Sequence, residues 1–370
     1  MTSSHAAQSH TSDSHAMQPY WDVLSASVQA DALQAALELG FFCFLPDAPR
    51  ARSLASLLGT DADATRHLLN LLWSMGLLTR TADTASDGAD LYTLEAVTSE
   101  HFVRASPRFC GDAWIVRLKA LRESGARLRN RLTPPAVAAT GAAPAEATPS
   151  VPPSSPPGSA AMGALWASAA RAQIGQEQRA FTVAAASRVM ARVPAMNTAT
   201  RLLDLGGGPG WVAIALANDF PRLNAVVFDL PETAEVAQEN ITAAGLDDRL
   251  SVIGGDLAID DIGTGYDVIW CASVLHFVPD VAATLRRIHA ALRPGGVLVC
   301  AQAEVGATPQ EAAAVLPYYL SMMMLGRHVT AAGEMAQALR DTGFTIVDSV
   351  VANDFPMAPL TVWTATRAVP

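Results

Sequence analysis

The residues with the clearest capacity for chemistry form a glycine-rich turn in the second half of the chain. Asp204 leads through one apolar residue into Gly206, Gly207, Gly208 and Gly210. Glycine is needed where a backbone must turn sharply and lie against a ligand without Cβ atoms. Because an apolar run precedes the turn and a helical pattern follows it, the spacing predicts a ligand site at the end of a buried strand.

Two acidic residues follow at the ends of the next two apolar runs. Asp229 comes about twenty residues after the turn, where an acid that holds a ribose diol is expected. A dinucleotide site would place a third glycine where Trp211 stands, and no lysine follows as in a phosphate-binding loop. S-adenosyl-L-methionine has no phosphate and suits the pattern better, with Asp256 at the adenine amino group and Leu257 against the ring.

A histidine follows the next apolar run by a few residues. His276 comes after Cys271, so we expect it at the same edge of the sheet as the glycine turn. Methyl transfer to a hydroxyl needs an aligned nucleophile and a base for its proton. Histidine titrates near neutral pH, which makes His276 the predicted catalytic base.

The elements that position these residues alternate from residue 199 onward. The predicted strands are Arg201–Leu205, 225–229, Leu250–Gly254, 266–271, 297–301 and 345–351. The predicted helices between them are 212–218, 231–244, 281–292 and 331–342. Such alternation predicts a mainly parallel sheet covered on both faces. The expected fold of residues 199–370 is therefore a doubly wound, Rossmann-like α/β domain.

The amino-terminal part has a different pattern. Helical periodicity starts at Tyr20 and stops near Gly40, and two further short helices precede a small hairpin, which predicts a winged helix over residues 19–105. Between residues 20 and 105 the chain has five arginines, no lysine and eleven acidic residues. An acidic surface repels phosphate, so a dimerisation module is the better interpretation than a DNA-binding one.

Composition limits the remaining possibilities. The chain has 370 residues, of which 50% are hydrophobic and 16% charged, and its net charge is -10. These values exclude wholesale disorder and a broad nucleic-acid-binding surface. No apolar run is long enough to span a membrane, and the four cysteines are scattered without a zinc or disulfide pattern, so we expect no metal and a cytoplasmic location.

The amino-terminal tail and an insertion in the middle of the chain are expected to lack fixed structure. Residues 1–18 form a polar tail whose three histidines share no helix face. Residues 106–198 are expected to hold connecting helices, one of them over 165–193, with a flexible insertion rich in Pro, Ala and Ser at 133–161. The alternative for this insertion is a polyproline ligand of a partner domain.

The region 201–299 closely resembles the S-adenosylmethionine-dependent O-methyltransferases of the caffeic-acid and hydroxyindole type. The resemblance rests on five motifs, which are Asp-Leu-Gly-Gly-Gly-Pro-Gly at 204–210, Phe-Asp-Leu-Pro at 228–231, Gly-Asp at 255–256, Val-Leu-His at 274–276 with Asp280, and Arg-Pro-Gly-Gly at 293–296. It extends over parts of the amino-terminal region and returns near residue 343. The family implies a winged-helix dimerisation domain, a Rossmann-like methyltransferase domain, a homodimer, and His276 as general base.

The predicted site has a cofactor part and an acceptor part. The cofactor residues are Asp204, Gly206, Gly207, Gly208, Gly210, Asp229, Leu230, Asp256, Leu257 and Cys271. The acceptor residues are Gln302, Met323, Arg327 and His328, of which Met323 belongs to a methionine run that could equally be ordinary core packing.

Three positions depart from the family pattern. Gln302 takes the place of an acid that would partner the histidine, His328 takes the place of a second acid, and Phe277 begins a pair that is Asp-Trp in the family. An amide cannot stabilise an imidazolium as a carboxylate would. These departures leave open an unusually acidic hydroxyl, a sulfur or nitrogen acceptor that needs little base, or another reaction that uses the sulfonium. A non-catalytic regulator that binds the cofactor and DNA is a further alternative.

Overall fold

A computed structural model describes residues 15–82, 90–133 and 160–369. The chain divides into two compact units between Ser106 and Pro107. Most of the predicted tail and of the predicted insertion lies outside the described residues. Both predictions extend too far, since Gln18 and Ala160 already belong to helices, where Pro19 and a pair of alanines favour helix formation.

The first unit contains helices followed by a two-stranded hairpin, in the predicted order. Its elements are α1 (Gln18–Leu39), α2 (Phe41–Phe44), α3 (Ala51–Leu58), α4 (Ala62–Ser74), β1 (Leu78–Ala82), β2 (Asp90–Leu94) and α5 (Ala96–His101). Gly40 ends α1 with a φ of 78°, and the Asp61 side chain caps α4 by accepting a hydrogen bond from the Ala64 amide. Leu54, Leu69 and Leu72 are completely buried between the helices.

The second unit begins with helices that the sequence placed in a connecting region. They are α6 (Gly111–Leu132), α7 (Ala160–Ala169), α8 (Gly175–Glu177) and α9 (Val183–Met190). Two π-helical turns, Ala170–Ile174 and Gln178–Thr182, join α7, α8 and α9. The predicted helix over 165–193 is therefore interrupted, and π turns of this kind occur often at functional sites.

A seven-stranded sheet forms the centre of the second unit. Its strands are β3 (Arg201–Leu205), β4 (Asn224–Asp229), β5 (Leu250–Gly254), β6 (Tyr266–Ala272), β7 (Leu292–Gln302), β8 (Phe344–Ala352) and β9 (Leu360–Arg367), in the spatial order β5-β4-β3-β6-β7-β9-β8. The remaining helices are α10 (Trp211–Asp219), α11 (Pro231–Ala243), α12 (Val281–Ala291), α13 (Pro309–Met323) and α14 (Glu334–Asp341).

Strands β5, β4, β3, β6 and β7 run parallel, and β9 pairs antiparallel with both β7 and β8. The predicted α/β class is confirmed, and all six predicted strands are present. The prediction missed β9, although Leu360, Val362, Trp363 and Ala365 are buried in it. It also placed the start of α14 three residues too early, because Gly333 with a φ of 84° precedes the helix.

Side chains of the parallel strands alternate between two apolar clusters, one on each face of the sheet. Leu202, Val268 and Trp270 belong to the first cluster, and Leu203 and Ile269 belong to the second. Because both faces are covered, the strands read as continuous apolar runs in the sequence. Among the described residues, no helix combines the length and the apolar character that a membrane span requires.

Candidate active site

The glycine turn after β3 has a backbone that other residues would strain. Gly206, Gly208 and Gly210 have φ values of 70°, 60° and 79°. A Cβ atom on Gly206 would lie 2.6 Å from Cγ2 of Val274, and one on Gly207 would lie 2.7 Å from the Asp204 carboxyl carbon. The turn is therefore a cradle that only glycine can form, as the sequence predicts.

Asp229 at the end of β4 fixes the turn from the side. Its Oδ2 accepts a hydrogen bond from the Gly208 amide at 2.8 Å, and its Oδ1 accepts one from the Leu230 amide at 2.8 Å. Burial raises the pKa of Asp229 to about 6, although both of these bonds favour the charged form. The carboxylate therefore holds the turn through backbone hydrogen bonds.

Asp204, in β3 below the turn, is almost completely buried, and its Oδ2 has no hydrogen-bond partner among the described residues. Burial raises the pKa of Asp204 to about 7, and the nearby charge of Asp229 adds to this effect. An orphaned buried oxygen beside a glycine cradle fits a ligand that brings a donor or a positive charge.

The third predicted acid lies at the end of β5. The Asp256 amide donates to the Asp260 carboxylate at 2.7 Å, and Oδ1 of Asp256 accepts from the Ala258 amide at 2.8 Å. Leu257 is buried, and its carbonyl accepts a hydrogen bond from Arg287 at 2.7 Å. Asp256 is half-buried, with its Oδ1 engaged in shaping the turn after β5.

Cys271, also predicted in the cofactor site, lies inside the sheet. It is fully buried and is the register partner of Cys300 on β7. A hydrogen bond with Cys300 and burial hold the pKa of the Cys271 thiol well above its ordinary value. The structure thus gives this thiol a partner within the protein.

Gln178, in the second π turn, was not predicted. Its Nε2 donates to the Gly207 carbonyl at 3.0 Å, and its Oε1 accepts from the Trp211 amide at 3.2 Å. The side chain therefore connects the two ends of the glycine turn. The sequence shows a glutamine within a helical run of small residues. It does not show that this side chain bonds to a turn about thirty residues away.

His276 lies on a short 3-10 turn, Leu275–Phe277, just beyond β6. Burial and the positive charge of Arg327 lower the pKa of His276 to about 4, and a hydrogen bond with Gln302 opposes them. The imidazole lies 4.2 Å from the Phe277 ring and 5.7 Å from the Tyr319 ring, measured between centroids. His276 is therefore a neutral, nearly enclosed base at neutral pH.

Gln302, at the end of β7, is 3% exposed. Because its bond raises the pKa of His276, the amide acts there as the acceptor of the imidazole N–H. The Nε2 atom of Gln302 has no partner among the described residues. The amide that was predicted to replace an acid is therefore in direct contact with His276.

The other predicted acceptor residues lie in three different environments. Nη1 of Arg327 donates to the Phe277 carbonyl at 2.7 Å, which brings this arginine to the turn that carries His276. His328 is exposed and bonds instead to Glu334 at the start of α14. Met323, at the end of α13, is half-buried and packs against the first apolar cluster.

A partly buried ion pair was also missed. Nε and Nη2 of Arg117, on α6, donate to the two carboxylate oxygens of Glu177 at 2.7 and 2.8 Å. The charge of Arg117 reaches Tyr319, whose hydroxyl bonds to Ser273. Ser273 has a φ of 53°, a left-handed conformation that is rare outside glycine and common at functional sites. The pairing of Arg117 with Glu177 spans 60 positions, so no spacing in the sequence indicates it.

Two family descriptions match the chain. The O-methyltransferase domain matches residues 168–345, and the O-methyltransferase dimerisation domain matches residues 21–104. Together they cover more than two thirds of the sequence. The chain therefore belongs to the family of O-methyltransferases that carry a dimerisation domain.

Individual relatives agree with this assignment. A demethylspheroidene O-methyltransferase of Cereibacter sphaeroides is 37% identical over 149 residues, which cover 39% of this chain and 39% of that protein. The mitomycin biosynthesis 6-O-methyltransferase of Streptomyces lavendulae is 27% identical and covers 91% of each chain. The structure of human N-acetylserotonin methyltransferase, in complex with S-adenosylmethionine, has the same fold at 18% identity and a TM-score of 0.67, with 98% of this chain and 100% of that chain covered.

The glycine turn can be tested with two alanine variants. Gly206 and Gly245 have similar φ values of 70° and 68°, but only Gly206 has a neighbour within 4 Å of the position of a Cβ atom. We expect Gly245→Ala to lower the free energy of unfolding by about 1 kcal/mol through backbone strain alone. Gly206→Ala should cost a further 1 to 3 kcal/mol, roughly, because it must displace Val274. Urea unfolding of both variants measures the difference, and equal losses would contradict the close approach of Val274.

The buried carboxyl of Asp204 predicts a pH dependence of stability. Its folded pKa of about 7 exceeds the ordinary value, so its contribution to stability is complete below that ordinary value and disappears as the pH rises through 7. We expect the wild type to lose stability relative to Asp204→Asn between pH 4 and pH 7, on the order of 4 kcal/mol. Urea unfolding at several pH values measures this loss. Asp248→Asn, at an exposed position, should keep the wild-type slope, and an unchanged slope in Asp204→Asn would contradict the raised pKa.

Proposed function

We propose that this chain is an S-adenosylmethionine-dependent O-methyltransferase that methylates a hydroxyl of a small molecule, with His276 as general base. One observation carries the proposal. Val274 packs against Gly206 of the glycine turn, and the neutral imidazole of His276 follows two residues later. The proposed base therefore lies two residues along the chain from a side chain that contacts the proposed cofactor cradle.

The residues present fit S-adenosylmethionine. The glycine turn leaves room for the cofactor, and the orphaned oxygen of Asp204 and the carboxylate of Asp229 give a positively charged, hydroxyl-bearing ligand two acidic partners. Asp256 and Leu257 stand at the neighbouring strand end for the adenine. When bound, the cofactor supplies a methyl group on a positively charged sulfur, which is the electrophile of the reaction.

The acceptor side is built around His276. The imidazole is neutral above a pKa of about 4, so one ring nitrogen is free to take a proton at neutral pH. Gln302 accepts the N–H of the other ring nitrogen and thereby fixes the tautomer. Phe277 and Tyr319 flank the ring, restrict its motion and keep water away from it. Met323 and Arg327 are the proposed contacts of the acceptor in this region, together with His328.

The related proteins support a small-molecule acceptor, since they include enzymes named for demethylspheroidene and for mitomycin biosynthesis. They favour oxygen over sulfur or nitrogen as the methylated atom. The acidic composition of the first unit speaks against a DNA-binding regulator. We place the enzyme in specialised metabolism and, from its scattered unpaired cysteines, in the cytoplasm.

The first unit is proposed to form a homodimer. From Gln18 to Gln29 every residue of α1 is exposed, and this half of the helix includes Tyr20, Trp21, Leu24 and Val28. Large apolar side chains concentrated on an uncovered helix are typical of a protein interface. The match of residues 21–104 to a dimerisation domain supports a second copy of the chain as the partner.

Binding and chemistry can be separated experimentally. We expect S-adenosylhomocysteine to bind the wild type in calorimetry and to bind Asp229→Asn at least roughly tenfold more weakly, because a charged hydrogen-bond partner is lost. His276→Ala should bind it normally and lose roughly 100-fold or more in kcat, which a mass-spectrometric screen for products heavier by one CH₂ unit would measure. A His276→Ala enzyme with near wild-type turnover would contradict base catalysis and favour an acceptor that needs little deprotonation, such as sulfur, nitrogen or an already ionised hydroxyl.

The dimer proposal predicts a change in mass. Trp21→Asp and Leu24→Asp place charges in the exposed apolar half of α1, and we expect them to shift the protein to a monomer in sedimentation experiments. Leu57→Asp is the matched control, because Leu57 on α3 is also exposed and apolar but lies outside α1. A dimer that persists in both α1 variants would exclude this surface.

A further inference from the structure

Arg327 is a cation held beside the base by the backbone of the catalytic turn. Its Nη1 donates to the Phe277 carbonyl, and its guanidinium carbon lies 5.5 Å from the centre of the Phe277 ring. The same ring lies 4.2 Å from the imidazole of His276. No other hydrogen bond or ion pair of Arg327 is found in the part of the chain that the structure describes. Arg327 thus keeps donors available next to His276.

The other groups around His276 do not neutralise this charge. β7 contributes the amide of Gln302, and α13 contributes the phenol of Tyr319. Glu177, the carboxylate associated with Tyr319, is already in a two-bond pair with Arg117. Among the described residues, no carboxylate is one of the groups that shift the pKa of His276. The acceptor side therefore has a positive charge that an anion would complement.

We propose that the acceptor is an acidic hydroxyl, one conjugated to a carbonyl group as in an enol or a hydroxyquinone, and that Arg327 binds its oxyanion. This inference rests on the proposed methyltransferase function and narrows its substrate class. Arg327 is then a residue that determines specificity, and Gln302 is a positioning residue that acts through His276.

The chemistry of the base leads to the same class. An imidazole with a pKa of about 4 takes a proton poorly from an ordinary phenol, whose pKa is about 10, but is better matched to a conjugated, acidic hydroxyl. An acidic hydroxyl that is already ionised binds as its oxyanion, and one that binds in its protonated form gives its proton to the free ring nitrogen of His276. The oxyanion then forms a bond to the methyl carbon as the bond from that carbon to sulfur breaks, and that electron pair stays on sulfur. Where an imidazolium has formed, it returns its proton to water after the neutral product leaves.

The test uses two aromatic hydroxyl compounds of similar size, 2-hydroxy-1,4-naphthoquinone and 2-naphthol. Calorimetry on the full chain at neutral pH should show the quinone binding at least roughly tenfold more tightly than the naphthol. Equal affinities, or no detectable binding of the quinone, would overturn the proposal. A separate titration with S-adenosylhomocysteine reports on the cofactor cradle alone, so its failure would count against the proposed function and not against the acceptor class.

Three variants assign the preference to individual residues. Arg327→Met should remove the preference for the quinone, whereas Arg286→Gln, which loses a charge at an exposed position on α12, should keep it. Gln302→Glu should raise the pKa of His276, visible in its NMR titration, and weaken quinone binding because a second negative charge stands near the anion. Circular dichroism checks that each variant is folded. A folded Arg327→Met protein that retains the preference would overturn the assignment to Arg327.

Discussion

The hydrogen bonds that hold the glycine turn against the tip of β4 are the constraint on which the site depends. The amides of Gly206 and Gly207 both point to the Phe228 carbonyl, at 2.8 and 3.3 Å. The Asp229 carboxylate accepts hydrogen bonds from the amides of Gly208 and Leu230. Because β4 satisfies the amides of Gly206, Gly207 and Gly208, the turn has a fixed shape before any ligand arrives, which reduces the entropy cost of binding.

The same arrangement brings two acidic side chains together in a buried environment, which is electrostatically unfavourable. Asp204 and Asp229 lie close together in a buried environment, and the pKa of each is raised by burial. Two buried acids of this kind destabilise the folded chain near neutral pH, as groups at functional sites often do. A ligand with a positive charge would relieve the cost, so the same feature that weakens the free protein would strengthen its complex. The proposed acceptor side has the opposite polarity, because its charged group is Arg327, which donates to the Phe277 carbonyl.

The parts of the site that lie at strand ends could be predicted from the sequence. Asp204, Asp229 and His276 each follow a buried apolar run, and parallel strands bring such positions to one edge of the sheet. Gln178 and Glu177 could not be found in this way, because their partners are set by helix packing between distant segments. The helical pattern of the sequence does not indicate the two π turns that flank or contain these residues. His328 follows Arg327 in the sequence but bonds to Glu334 at the start of α14, so its place in the acceptor site stays a prediction.

The position of β9 has a consequence for how the molecule is made. β9 lies between β7 and β8 although the ribosome synthesises it after both. Strand β8 therefore has no partner in the sheet until β9 has emerged, and β7 keeps an open apolar edge during that interval. The nascent chain must pass through a stage with unpaired strand edges, which are prone to aggregation. Completion of the sheet is thus coupled to late synthesis, and chaperone protection would be needed most while β7 waits for its neighbour.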